Sequence, residues 1–97
     1  MAVMSASGHA EALQRRLELH PQVALRPEPF GALAYHYGNR RLVFLRHVDM
    51  VRVVNALASA PSVEAALEAC DIAPSRWPSF VKALESLEAS EVVRSRP

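Results

Sequence analysis

Four histidines, one cysteine and ten carboxylates are the side chains in this sequence that could hold a metal or move a proton. Their spacing argues against both. His9, His20, His36 and His47 are scattered, and no two share a helix at i, i+4 as a metal pair would require. His36 falls between Tyr35 and Tyr37 on an expected strand and reads as a partly exposed strand residue. Cys70 has no basic neighbour in sequence to lower its pKa, so it reads as a small packed hydrophobe rather than a nucleophile. A single cysteine also excludes an internal disulfide and any zinc site built on paired thiolates. Glu64, Glu68, Glu85 and Glu88 fall on the polar sides of expected helices, where solvation is their simplest role. The three glycines, Gly8, Gly31 and Gly38, form no phosphate-cradling loop. This chemistry predicts no catalysis, no metal and no cofactor.

The elements that position these side chains follow from periodicity. The 97 residues fit one small domain, and 51% apolar content with net charge +1 excludes a chain disordered throughout. Residues 1–19 read as an N-terminal extension, flexible or a short helix, with Leu13 and Leu17 at helical spacing. Residues 20–97 read as the folded domain. Val23 and Leu25 alternate with smaller or polar neighbours between Pro21 and Pro27, a short strand. Leu33, Tyr35 and Tyr37 share one face of a second strand. Gly38-Asn39 is a turn signal, since both residues tolerate positive φ, and Arg41–Leu45 returns as the second arm of a hairpin.

From His47 the period changes. Val48, Val51, Val54 and Leu57, broadened by Met50, Val53 and Ala58, predict a helix ending near Ala60-Pro61. Ser62 can cap a second helix with Val63, Ala66, Leu67 and Cys70 inward. After Asp71–Pro74, Ser75 can cap a third, with Pro78 in its first turn and Trp77, Phe80, Val81, Leu84 and Leu87 inward. Val92-Val93 suits a short terminal strand. The expected fold class is α+β, a three-stranded antiparallel sheet followed by three α-helices, the last two resembling a helix-turn-helix.

No run approaches the apolar length of a membrane span. The first twenty residues hold His9, Glu11, Arg15, Arg16 and Glu18, unlike the apolar core of a secretory signal, so a cytoplasmic setting is expected. A helix-turn-helix invites a DNA-binding regulator. Charge opposes it. Residues 1–61 carry seven Arg against four acids, whereas 62–97 carry four bases against six acids. The third helix holds only Arg76 and Lys82 against Glu85 and Glu88, too little to neutralise several phosphates. The arginines instead surround the strands: Arg26, Arg40, Arg41, Arg46 and Arg52.

A three-stranded meander has two edges. Pro21 and Pro27 bracket the first strand and blunt it. The third, Leu42-Val43-Phe44-Leu45 between Arg41 and Arg46, has no proline and suits capture of an extended peptide as an added strand. Cover by the Val92-Val93 segment or by a second subunit is the alternative that the edge argument leaves open. A subunit that stabilises an enzyme through the same edge is a further one.

The order of elements, the segment Pro27-Glu28-Pro29-Phe30-Gly31-Ala32-Leu33 and the following Arg40-Arg41-Leu42-Val43-Phe44-Leu45 strand resemble the PqqD-like peptide-recognition elements of ribosomal peptide maturation. The resemblance is nearest to the branch serving mycofactocin biosynthesis, and it covers residues 20–94. It implies a non-enzymatic peptide chaperone with a winged helix-turn-helix-like fold. Such a protein binds the leader of a precursor peptide and delivers it to a radical S-adenosylmethionine maturase. In that branch the maturase oxidatively decarboxylates the C-terminal tyrosine of the precursor and crosslinks it to the preceding valine. The resemblance further implies a leader site between the third strand and the third helix. Carried onto this sequence, that is Arg41, Leu42, Val43, Phe44, Leu45 and Arg46 facing Phe80, Ala83, Leu84 and Leu87. The lone Cys70 agrees with a chaperone that holds no iron–sulfur cluster of its own.

Overall fold

A computed structural model describes residues 11–96. Helix α1, described over residues 11–14, leads into strand β1 (Leu17–Leu19). Strands β2 (Val23–Glu28), β3 (Gly31–His36) and β4 (Leu42–Leu45) follow, then helices α2 (Val48–Ala56) and α3 (Val63–Ala69). A 3₁₀ turn (Pro74–Arg76) runs into α4 (Trp77–Ala89), and β5 (Val93–Ser95) closes the described chain. The expected α+β order holds, with a fourth helical segment, α1, ahead of the strands.

Strands β2, β3 and β4 form an antiparallel sheet in that order, with the third strand at an edge. Its inward face carries Ala32, Ala34, Leu45 and Val23, all buried. Small residues at the centre of β3 let α2 lie close, so Val53, Val54 and Leu57 fill the space that larger strand side chains would need. Leu33, Tyr35 and Tyr37 do share a face, and it is the outward one.

Four sequence expectations need correction. The helix expected up to Leu19 gives way to β1, which pairs antiparallel with β5: Leu17 opposite Ser95, Glu18 opposite Arg94, Leu19 opposite Val93. Leu17 is buried in the core there, and pairing with a distant strand outweighs the weak helical signal of two leucines. His9 lies outside the described residues. His36 is not partly exposed but 4% accessible. Its Nδ1 accepts from the backbone N–H of Gly38 (3.0 Å) and Asn39 (3.1 Å), and its ring lies 4.5 Å from that of His20. The β3–β4 turn thus folds its own amides over the imidazole, and the left-handed residue in it is Arg40 (φ 62°), neither Gly38 nor Asn39. Ser75 does not cap the last helix; it sits inside the 3₁₀ turn, and no side chain caps α4.

Elsewhere the local chemistry holds. The Ser62 side chain accepts from the Ala65 N–H (3.2 Å) at the start of α3. Both α3 and α4 end in a left-handed residue, Asp71 (φ 58°) and Glu91 (φ 63°). In each, two backbone bonds close the helix end: Asp71 N–H to Glu68 O with Ile72 N–H to Leu67 O, and Glu91 N–H to Glu88 O with Val92 N–H to Leu87 O. Buried Ile72 and Val92 then pack back on Leu67 and Leu87, the hydrophobic half of a Schellman cap.

Candidate functional site

The site begins with register. The His36 N–H donates to Arg41 O (3.0 Å), and bonded pairs alternate along an antiparallel ladder. The pairs Ala34–Val43 and Ala32–Leu45 are therefore bonded, and Tyr35–Leu42 and Leu33–Phe44 are not. The N–H and C=O groups of Leu42, Phe44 and Arg46 consequently point away from β3, along the free edge. Gly31 fixes this register sterically. Its φ is +148°, and a Cβ there would lie 2.0 Å from Leu45 O, so only glycine lets the two strands meet.

Beside that edge runs a groove of about 590 Å³. Val43, Phe44, Leu45 and Arg46 form one wall, Met50 of α2 the floor, and Ser79, Phe80, Ala83, Ser86 and Leu87 of α4 the other wall. The α4 residues recur at three- and four-residue steps, which puts them on one helical stripe. His47 and Arg76 also line it. Arg76 is held in place: it pairs with Asp49 (3.1 Å), and its guanidinium lies 5.1 Å from the Phe80 ring centroid. The hydrogen bond from Arg76, supported by Arg52, holds the Asp49 carboxyl below its ordinary pKa. Arg46 lies 5.7 Å over the Phe44 ring and has no ion pair among the described residues; nor do Arg40 and Arg41.

Seven of the ten residues expected at the site meet in this groove: Val43, Phe44, Leu45, Arg46, Phe80, Ala83 and Leu87. Arg41 and Leu42 stand on the same edge but outside the groove. Leu84 faces the other way, bordering a small void with Leu17 and Val63. His47, Met50, Arg76, Ser79 and Ser86 were not anticipated. Stepping by three and four from Phe80 along the helix would have found Arg76 and the two serines; Met50 depends on where α2 crosses the sheet. The segment that could have covered β4 is engaged elsewhere, since β5 pairs with β1.

Among the described residues no group of three or more His, Cys, Asp or Glu side chains could hold a metal ion. No described helix is long and apolar enough to cross a membrane. The arrangement offers backbone hydrogen bonds, an apolar trough and arginines, which is binding chemistry.

Comparison with known proteins points the same way. The chain is similar to the peptide chaperone MftB of Mycolicibacterium smegmatis, 47% identical over 75 residues that cover 77% of this chain and 74% of the relative. The Mycobacterium ulcerans protein of that name is 43% identical over 79 residues, 81% of this chain and 72% of the relative. The Mycobacterium tuberculosis protein is 40% identical over 82 residues, 84% and 75% of the two chains. These names describe a chaperone rather than a catalyst. No solved structure matches the chain significantly. The sequence model of the peptide chaperone MftB family matches residues 16–94, nearly the whole described fold, and the chain belongs to that family.

Proposed function

We propose that this protein holds the leader of a ribosomally made precursor peptide by strand addition to β4 and delivers it to a radical S-adenosylmethionine maturase in mycofactocin biosynthesis, in the cytoplasm. Its sheet and last helices would then correspond to the winged helix-turn-helix-like arrangement of PqqD-like recognition elements. The observation that carries this reading is the open β4 edge bordering an apolar groove on the α4 side. An extended segment laid along β4 pairs with the outward amides and carbonyls of Leu42, Phe44 and Arg46. Alternate side chains of the segment then enter the trough between β4 and α4, against Phe80, Ala83 and Leu87, and supply selectivity that backbone pairing lacks. A DNA-binding reading finds no support: Arg76 is committed to Asp49, and Lys82 shares α4 with Glu85 and Glu88.

Residue-resolved NMR titration of labelled chain with the precursor peptide tests this. The amides of Leu42, Phe44 and Arg46 should shift and gain protection from hydrogen exchange, while those of Val43 and Leu45, already bonded to β3, change little in protection. Bound peptide with unprotected Leu42 and Phe44 amides would refute strand addition.

A further inference from the structure

We propose that the outward face of the β2–β3–β4 sheet is a second docking surface, built for a folded protein whose contact area is apolar at its centre and carboxylate-rich at its rim. Within the proposed function, that protein is the maturase that receives the peptide, and in this respect the inference rests on that reading.

Register assembles the face. Leu33 stands opposite Phe44, and Tyr35 opposite Leu42, in the non-bonded pairs whose side chains approach most closely. Phe30 meets Phe44 edge-on at 5.9 Å, and Tyr37 meets Tyr35 the same way at 5.1 Å. Exposure is high: Phe30 43%, Tyr37 62%, Leu42 57% and Phe44 55%. Of the large apolar side chains exposed among the described residues, only Val48 lies elsewhere. Phe30, Phe44 and Arg46 border an open recess of about 440 Å³. Clustered aromatics beside arginine are the composition of interface hot spots, not of an ordinary solvated sheet.

Charge selects the occupant. Arg26, Arg40, Arg41 and Arg46 are exposed on this sheet or at its ends. Glu28, the one acid in strands β2, β3 and β4, is already paired with Arg26 (3.1 Å). Two copies packed face to face would set arginine against arginine. Residues 1–10 contain no Asp or Glu, so they bring no carboxylate to the rim. A partner with its own acids satisfies both the apolar centre and the basic border. The face is also continuous with the β4 edge. A segment added there widens the sheet by one strand, so a partner seated on it contacts the outward side chains of the bound peptide as well. The chaperone–peptide complex therefore presents more surface than the chaperone alone.

Two variants separate this face from the groove: Phe30→Ser with Tyr37→Ser, and Arg26→Glu. None of these residues lines the groove or forms the β4 edge. Affinities for the precursor peptide and for the purified maturase are measured by calorimetry, with thermal melts to confirm folding and Tyr37→Ser alone held in reserve. The double variant should weaken maturase binding tenfold or more while peptide affinity stays within twofold. Arg26→Glu should weaken maturase binding about threefold and flatten its salt dependence. Unchanged maturase affinity in the folded double variant overturns the proposal, as does equal loss of both ligands. A native dimer in sedimentation that the double variant dissociates overturns it in favour of a second copy. If the native chain binds no peptide but still needs Phe30 and Tyr37 to bind maturase, the docking surface stands and the peptide reading falls.

Discussion

Strands β4 and β5 are both short, both lie beside arginines and each pairs with a single neighbour, yet their charges are met differently. Val93 of β5 pairs with Leu19 and is 1% exposed. Four of the charges around it are paired with one another. Arg94 meets Glu18 at 2.7 Å, and Arg15 grips both oxygens of Glu88 (2.7 and 2.6 Å) and the Ser95 hydroxyl (2.8 Å). Main-chain bonds from His20 N–H to Val92 O and from Arg96 N–H to Arg16 O extend the ribbon at both ends (2.8 Å each). Strand β4 likewise has one ladder, to β3, but its arginines have no carboxylate within reach among the described residues. The difference shows that composition does not pair a strand's charges; a complementary segment elsewhere in the chain does. Where the chain supplies none, the charges remain for another molecule.

The contrast is sharpest in stability. Leu17→Ala on the β1–β5 ribbon should cost about 2–5 kcal/mol, because a buried leucine leaves a cavity. Leu42→Ala on the open edge should stay within about 0.5 kcal/mol. Chemical denaturation of both variants measures this, and equal losses would erase the distinction between the strands.

Adjacent prolines on β4 should also diverge. Val43→Pro deletes a ladder bond to Ala34 and leaves a buried carbonyl unpaired, at about 1–3 kcal/mol before the ring is accommodated. Phe44→Pro loses only an outward N–H, so the chain should melt nearly as before but bind precursor peptide at least tenfold more weakly. Thermal melts and fluorescence titration read the two effects, and an unfolded Phe44→Pro would show the register to be misassigned.

Acid should loosen the contacts of the β1–β5 ribbon. The hydrogen bond from Arg15 holds Glu88 below the ordinary carboxylate pKa, and Arg15 is correspondingly raised. A carboxylate with a lowered folded pKa contributes stability above its unfolded value, about 4.3, and loses it as pH falls through the folded one. Glu88→Gln should therefore cost about 1 kcal/mol or less at pH 7, given the partial exposure of the pair, and nothing once native Glu88 is protonated. Melting curves of both proteins from pH 7 to pH 2 should converge at the acid end. A gap that persists there would trace the effect to packing.

The smallest effect is a gain. Glu91 turns the chain from α4 into β5 in a left-handed conformation that costs a side chain about 1 kcal/mol. Glu91→Gly should raise stability by about 0.5 kcal/mol after the extra unfolded-state entropy of glycine is subtracted. A loss would mean that the Glu91 side chain contributes more than its conformation costs.

Legibility in the sequence followed the range of the interaction. Ser62, the β3–β4 hairpin and the inward stripes of α3 and α4 depend on residues within a few positions of one another, and periodicity finds them. The α2 stripe was read a little out of phase: Met50, Val53 and Val54 are buried, while Val48 faces solvent. Strand β1 is three residues long and pairs Glu18 with Arg94, so no local pattern could announce it. The ends of α3 and α4 fall where the sequence suggests, but their left-handed caps are not legible, because Asp71 and Glu91 stand where glycine usually marks one. Of the groove, the β4 wall was readable from its lack of proline, and the α4 wall came from family resemblance. The outward direction of Leu33 and Tyr35 was hidden because alternation reports that two residues share a face, not which face meets the core.

The β1–β5 pairing also governs how this unit can be joined to other sequence. Antiparallel register places Leu17 beside Ser95, so the incoming and outgoing chain run side by side, about 5 Å apart at the backbone. A short linker between those points would make a circular chain, reopened in the exposed loop around Pro61 without cutting β4, α4 or the space between them. The same closeness allows the whole unit to be spliced into a surface loop of another protein, with two attachment points that stretch its host no wider than a hairpin does.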